Sequence, residues 1–423
     1  MKTEKSPVLR LFFLALCVLA MEVIVSPFAG RGATGFFAGG YVRASETAPP
    51  SPVWIDFFSP HGIAVDAMGN LYVTDKGKGR ILKLSPKGKV STFVGGKKGF
   101  TEGIESWGKP FFPGWGSYFD EGFYFVIGDI TIDAAGNLYV AGGGYIHKIT
   151  ARGETSIVFG PGLGHSGYFH NLDGITIDKA GNLYVTDASQ NCICMVTQKG
   201  EIPLIVDSCG GSISYYYYAP DGSIFYFYAP EDIAIDAAGN LYVTNSGSNS
   251  ILKVTMEGEV SLFAGGGYGF ADGKGSAAKF RSPSGIATDE AGNFYVVDTG
   301  NHSIRKVTKE GEVSTLAGSG KKGFADGKGR AAQFCRPHGI TIDKAGNLYV
   351  ADSGNRRIRK VTKEGEVSTF FAHIERDAAG QAHQCVECEA GQECVECETG
   401  QEQQCVRRIE HLYPRSFPRS ADF

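Results

Sequence analysis

Apolar residues recur along this chain in short runs separated by polar turns. From Gly339 it reads Ile-Thr-Ile, a break at Asp343 to Gly346, Leu-Tyr-Val, a second break at Asp352 to Asn355, Ile-Arg-Lys-Val, a third turn, and Val-Ser-Thr-Phe-Phe. Runs this short, rich in β-branched and aromatic residues and bounded by Gly, Asp and Asn, predict strands joined by tight turns. Gly339–Asp343, Asn347–Ala351, Arg357–Thr362 and Glu366–Phe371 would be four of them. The first two strands have no clean alternation, which predicts cover on both faces.

The pattern repeats. Residues Gly285 to Leu316 carry nearly the same letters, and an acid followed by x-x-Gly-Asn-[Leu/Phe]-Tyr-Val occurs six times. The signature glycines are Gly69, Gly136, Gly181, Gly239, Gly292 and Gly346, so the steps are 67, 45, 58, 53 and 54 residues. Periods of this size mark a repeat architecture, in which one unit cannot bury its own faces and must stack on the next. The expectation is an all-β fold: a six-bladed β-propeller of four-stranded antiparallel blades closed around an axis. The acids Asp66, Asp133, Asp178, Asp236, Asp289 and Asp343 read as turn residues. The oxygen-rich spacing of a calcium loop is missing around them.

The full motif, P-x-G-I-x-x-D-x-x-G-N-[LF]-Y-V-x-D-[ST]-G-N-x-x-I-R-K-V, resembles the NHL repeat. The linker A-G-x-G-x-x-G-F-A-D-G-x-G-x-A-A-x-F, at Ala317–Phe334 and, one residue shorter before Gly-Phe, at Ala264–Phe280, is similar to that of teneurin-like and bacterial secreted NHL proteins. The resemblance runs from about Ser59 to Ala372. It implies the propeller and leaves function open, because this fold hosts ligand, protein and RNA binding and several enzymes.

Composition narrows the classes. The chain has 423 residues and a net charge of −4, which gives no basic surface for nucleic acid. Arg305, Lys306, Arg356, Arg357, Arg359 and Lys360 sit among Lys and Glu and read as a solvated strand edge. Residues 1–44 read as a signal peptide and leader: Lys2, Lys5 and Arg10 precede an apolar run too short for a comfortable membrane span. Residues 45–372 would be the propeller, and 373–423 an acidic, Cys-containing tail without strand pattern. Thr34–Gly40 resembles a fourth strand, as does Glu366–Phe371, and the letters do not decide which closes the ring.

Three places could carry chemistry. At the channel mouth, the residue two before each leading Ile is His61, Gly128, Asp173, Glu231, Ser284 or His338. If blades one and six are neighbours, His61 and His338 adjoin, with Asp173 and Glu231 across the axis. Such a set suits a polar ligand, or alternatively zinc or calcium in a metal-dependent lyase or lactonase. The peptide-amidating lyases that the resemblance brings in hold zinc with three channel histidines, and this chain offers two. The second place is the set of aromatic linkers, holding Trp54, Trp107 and Trp115 and the stretch from Ser208 to Pro230, which reads as a hairpin turning at Pro220–Gly222. These linkers share one face, a platform for a protein, peptide or glycan ligand. Cysteine is the third: Cys209 is expected to bridge to Cys192 or Cys194 after export, and the closely spaced tail pairs favour disulfides over zinc. The leading expectation is an exported binding scaffold, with no enzymatic motif legible.

Overall fold

The computed structural model describes residues 53–95, 127–160, 171–202, 204–206, 217–218, 224–225, 227–373, 375–376 and 382–383. Each turn after a first strand is built by its acid. One carboxylate oxygen of Asp343 accepts the backbone N–H groups of Ala345 and Asn347 (2.9 and 2.8 Å). The other accepts the Asn347 side-chain amide (2.9 Å) and the Tyr349 hydroxyl (3.2 Å). All six copies repeat the Asn and Tyr bonds to the acid. The Asn and Tyr of the signature are therefore partners of its Asp. Gly346 completes the turn at φ +83°, where a side chain would be strained.

Six antiparallel sheets follow from six signatures. Blade 1 comprises Pro60–Val65, Leu71–Asp75, Arg80–Leu84 and Val90–Gly95; blade 2, Ile130–Ile132, Leu138–Gly142, Tyr145–Ile149 and Thr155–Phe159. Blade 3 comprises Leu172–Ile177, Leu183–Asp187, Cys192–Val196 and Leu204–Val206; blade 4, Pro230–Ile235, Leu241–Asn245, Ser250–Val254 and Val260–Ala264. Blade 5 comprises Pro283–Thr288, Phe294–Asp298, Ser303–Val307 and Glu312–Ala317; blade 6, Ile340–Ile342, Leu348–Asp352, Arg357–Val361 and Glu366–His373. Second strands are buried at every position, including the polar residue that ends most of them.

The core is six separate clusters, one in each gap between neighbouring blades. Leu71 and Val73 of blade 1, for example, pack with Ile358 and Phe371 of blade 6. Glycine lets the innermost strands approach: a Cβ on Gly339 would fall 2.1 Å from the His61 carbonyl oxygen, and one on Gly285 2.4 Å from that of His338. Hydroxyls stitch the same seams, with Thr74 donating to the Gly128 carbonyl (3.0 Å) and Thr186 to that of Glu231 (2.9 Å).

Closure uses both ends of the repeat region. Glu366–His373 is the fourth strand of blade 6, and Val53–Ile55 adds a fifth, parallel to it, with Val53 opposite Phe371 and Ile55 opposite His373. Thr34–Gly40 lies outside the described residues. The pattern was expected to stop at Phe371, but Ile55 gives His373 a ladder partner and the strand runs on. A short hairpin, Glu375–Arg376 with Ala382–His383, follows, so the segment after 372 is not without strands.

The basic cluster is not a solvated edge. Arg305 and Arg359 are fully buried. Arg359 donates to Asp352 (3.0 Å), Asp326 (2.6 Å) and the carbonyls of Gln333 and Ala325, and its guanidinium lies over Phe324 and Phe334. Arg305 does the same with Asp298, Asp272, Phe270 and Phe280. The Gly-Phe-Ala-Asp-Gly linkers thus supply ring and carboxylate for a guanidinium from the third strand of the same blade.

Candidate functional site

First strands begin at one end of the axis, and the linkers that feed them lie on that face. The first-to-second and third-to-fourth turns lie on the other. On the linker face the six mouth positions behave differently. Gly128 has no room for a side chain, since a Cβ there would fall 2.8 Å from the Ala141 carbonyl oxygen. Ser284 is buried and turned inward, bonded to the Thr299 hydroxyl (2.6 Å) and the His338 carbonyl (3.0 Å). Four side chains remain: His61, His338, Asp173 and Glu231.

The structure brings these four together. The His61 and His338 rings stack with centroids 3.7 Å apart and planes inclined by 32°. His338 Nε2 faces Glu231 Oε2 at 3.8 Å, with the two side chains 28% and 29% exposed. Asp173 accepts a bond from the Asn171 amide (2.8 Å), and Glu231 a longer one from Ser246 (3.3 Å). Burial holds both imidazoles below the usual histidine range, His338 at about 4, and the neighbouring imidazole and Lys76 press His61 down further. Burial and the charge of Glu231 push Asp173 up to about 7. Burial raises Glu231 as well, against the opposing pull of Ser246 and Lys76.

Lys76 acts electrostatically on all four groups, yet nothing in the sequence reading singled it out. The signal was present. Lys76 follows Tyr-Val-Thr-Asp where the other blades place Gly143, Ala188, Ser246, Thr299 and Ser353. A second departure was also missed. Blades 2 and 4 put Asp129 and Asp232 where the others have Gly62, Gly174, Gly285 and Gly339. The two carboxyls are hydrogen-bonded to each other below the mouth. Asp232 also accepts from the N–H of Ile233 (2.7 Å) and Ile286 (2.8 Å). Burial raises both, Asp232 to about 6. Beside them the channel holds a cavity of about 260 Å³ walled by first-strand Ile, Val, Ala and Thr.

A three-histidine zinc centre does not fit this mouth. The mouth offers two imidazoles, packed ring on ring with their planes inclined by 32°, where a three-histidine centre needs a third. Among the described residues, no group of three or more His, Cys, Asp or Glu side chains is placed to hold an ion.

Aromatic residues do collect on the linker face. Of the six exposed large apolar residues described, Phe58, Ile224, Tyr228 and Tyr268 lie on segments that feed first strands. The expected hairpin is present, with Tyr217 opposite Phe225 and Tyr218 opposite Ile224. Trp54 belongs to the strand Val53–Ile55 and not to a linker loop. Trp107, Trp115 and Cys209 lie outside the described residues. Cys192 and Cys194 are each disulfide-bonded.

Fold and mouth together define a six-bladed β-propeller with a polar axial site on its linker face. The NHL repeat profile matches residues 57–84, 280–307 and 334–361, within blades 1, 5 and 6. The chain is 38% identical over 144 residues to SUPPRESSOR OF QUENCHING 1 of Arabidopsis thaliana, covering 31% of this chain and 14% of that protein. It is 37% identical over 93 residues to NHL repeat-containing protein 2 of Gallus gallus (22% and 13% covered), and 30% over 158 residues to Teneurin-3 of Mus musculus (32% and 6%). These matches span a small part of each relative. Among solved structures, an auxiliary nutrient binding protein from Bacteroides ovatus superposes with a TM-score of 0.51 at 18% identity, covering 74% of this chain and 70% of that one. A Bacteroides thetaiotaomicron protein of unknown function gives 0.55 at 21%, with the same coverage. Both likenesses concern the fold. The chain is an NHL-repeat β-propeller.

Proposed function

We propose that this protein is an exported binding scaffold whose ligand seats on the linker face, over the channel mouth. The observation that carries the reading is the distribution of exposed apolar residues. Phe58, Ile224, Tyr228 and Tyr268 ring the face onto which His61, His338, Asp173 and Glu231 open. The opposite face contributes only Met68 and Met256 to the same set among the described residues. Aromatic residues around convergent polar groups are the composition of a recognition surface. Trp107 and Trp115 extend this platform in the proposal, and the basic n-region and apolar run within residues 1–44 support export.

Phe58→Ala/Tyr228→Ala/Tyr268→Ala and Met68→Ala/Met256→Ala variants, compared on glycan and peptide arrays, test the site. Binding lost only in the first set supports it; equal binding by both sets and the parent removes it. Fusion of residues 1–44 to a reporter that is active only outside the cytoplasm tests export, and an inactive reporter would refute it.

A further inference from the structure

We propose that the ligand of the mouth is a neutral saccharide, with hydroxyls directed to Glu231, Asp173, Lys76 and the imidazoles and a C–H face laid on Tyr228 or Phe58. This rests on the binding reading above and names its ligand class. The mouth groups converge without satisfying one another. Glu231 Oε2 and His338 Nε2 stand 3.8 Å apart, too far for a hydrogen bond and near enough for one hydroxyl to accept from the imidazole and donate to the carboxylate. One oxygen of Asp173 is held by Asn171, and the other has no hydrogen-bond partner among the described residues. Lys76 has no ion-pair partner within 4 Å among them either, although its charge reaches all four mouth groups.

Charge favours a neutral ligand over an ionic one. The imidazoles are held neutral, Asp173 is pushed up to about 7, and Lys76 offsets Glu231. An anion would meet two carboxyls, and a cation would meet Lys76. A ligand whose every group both donates and accepts fits each of these partners without burying a net charge.

The rim supplies the second half of saccharide recognition. Phe58 and Tyr228 occupy one register, two residues before the Pro that opens the first strand, in blades 1 and 4. These blades are opposite each other in a ring of six. Each ring is backed by a glycine of the neighbouring 3-10 turn: a Cβ on Gly77 would fall 1.9 Å from Phe58 Cδ1, and one on Gly247 2.3 Å from Tyr228 Cδ1. The rings are thereby fixed in place while the residues stay 55% and 53% exposed. Arg356 flanks Phe58 at 5.5 Å. A rigid aromatic plane beside hydrogen-bonding groups matches the two-sided character of a pyranose, apolar across its C–H face and polar around its edge.

The test uses the full chain and two probe sets: neutral gluco-, manno- and galacto-oligosaccharides, and a peptide array of equal diversity. Hits are measured by calorimetry. Neutral oligosaccharides are expected to bind, and Tyr228→Ala and Glu231→Gln each to weaken the interaction at least tenfold with melting temperature unchanged. Peptide binding without saccharide binding overturns the saccharide inference and leaves the scaffold reading standing. Saccharide binding that neither variant alters overturns the assignment to the mouth. Absence of binding to both probe sets overturns both readings. Should Glu231→Gln unfold the chain, the surface variant Tyr228→Ala decides alone.

Discussion

His61 of the first blade and His338 of the last stack at 3.7 Å, so the seam that closes the ring runs between two imidazoles. Neither gains from a proton there, because burial disfavours the charged form and each cation would face the other ring and Lys76. Among the described residues, Glu231 is the carboxylate within 4 Å of His338. A histidine whose folded value is depressed contributes stability that is whole above about pH 6.5 and is lost as pH falls toward 4. Between pH 7 and 4.5 the parent should therefore lose stability, on the order of 2 kcal/mol from this pair, seen as a fall in melting temperature. The double variant His61→Asn/His338→Asn should lose clearly less over the same interval. Thermal melts at matched ionic strength measure it, and parallel curves for the two proteins would remove the pair from the account.

Asp129 and Asp232 carry the opposite sign. Both folded values are raised by burial, so the stability the pair lends is whole below about pH 4 and is lost as pH rises through the raised values, about 6 for Asp232. Asparagine can donate to Asp232 as a protonated Asp129 does. Asp129→Asn should accordingly stabilise the chain at pH 8 by on the order of 1–2 kcal/mol and leave it unchanged at pH 4.5. Denaturant melts at the two pH values give both numbers, and equal destabilisation at both would mean that size and not charge governs the site.

These two pairs show what a one-dimensional reading could reach. Blade count, strand positions and the meeting of His61 with His338 and Glu231 were legible, because a repeat that must close fixes which positions become neighbours. Asp129, Asp232 and Lys76 were equally visible as departures from the repeat, but a departure has no chemistry until a partner in another blade is known. Arg305 and Arg359 were misread for a related reason. One carboxylate partner of each, Asp298 or Asp352, lies on the preceding strand, but the rings and the second carboxylate lie some 25 to 35 residues earlier in a linker, beyond any local charge pattern. The surplus strand went to Val53–Ile55, whose letters have no counterpart in the repeat.

That added strand should matter to the whole ring. Ile55 and Phe57 are buried in the cluster between blades 6 and 1, ahead of the first repeat strand. Ile55→Ala should cost about 2–4 kcal/mol and Phe57→Ala about 3–5 kcal/mol. Because the seam joins the first blade to the last, both should also speed limited proteolysis at the junction of blades 6 and 1. Cleavage confined to sites elsewhere would show that the clasp is dispensable.

The buried guanidiniums give the sharpest stability test. Arg359 is paired with fully buried Asp352 and half-exposed Asp326. Asp352 also receives the backbone N–H of Cys335 and the amide of Asn355, so it anchors the linker as well as the ion pair. Asp352→Ala leaves a buried cation short of one counter-charge and should cost about 3–5 kcal/mol. Asp326→Ala, with its charge largely in water, should cost about 1 kcal/mol. Arg359→Met alone strands the Asp352 carboxylate and should be severe, whereas Arg359→Met/Asp352→Asn removes both charges and keeps the amide's hydrogen bonds. A double-mutant cycle by urea denaturation should return a coupling of about 2–3 kcal/mol. Additive losses would mean that Phe324 and Phe334, lying against the guanidinium, hold Arg359 in place without the help of its acid.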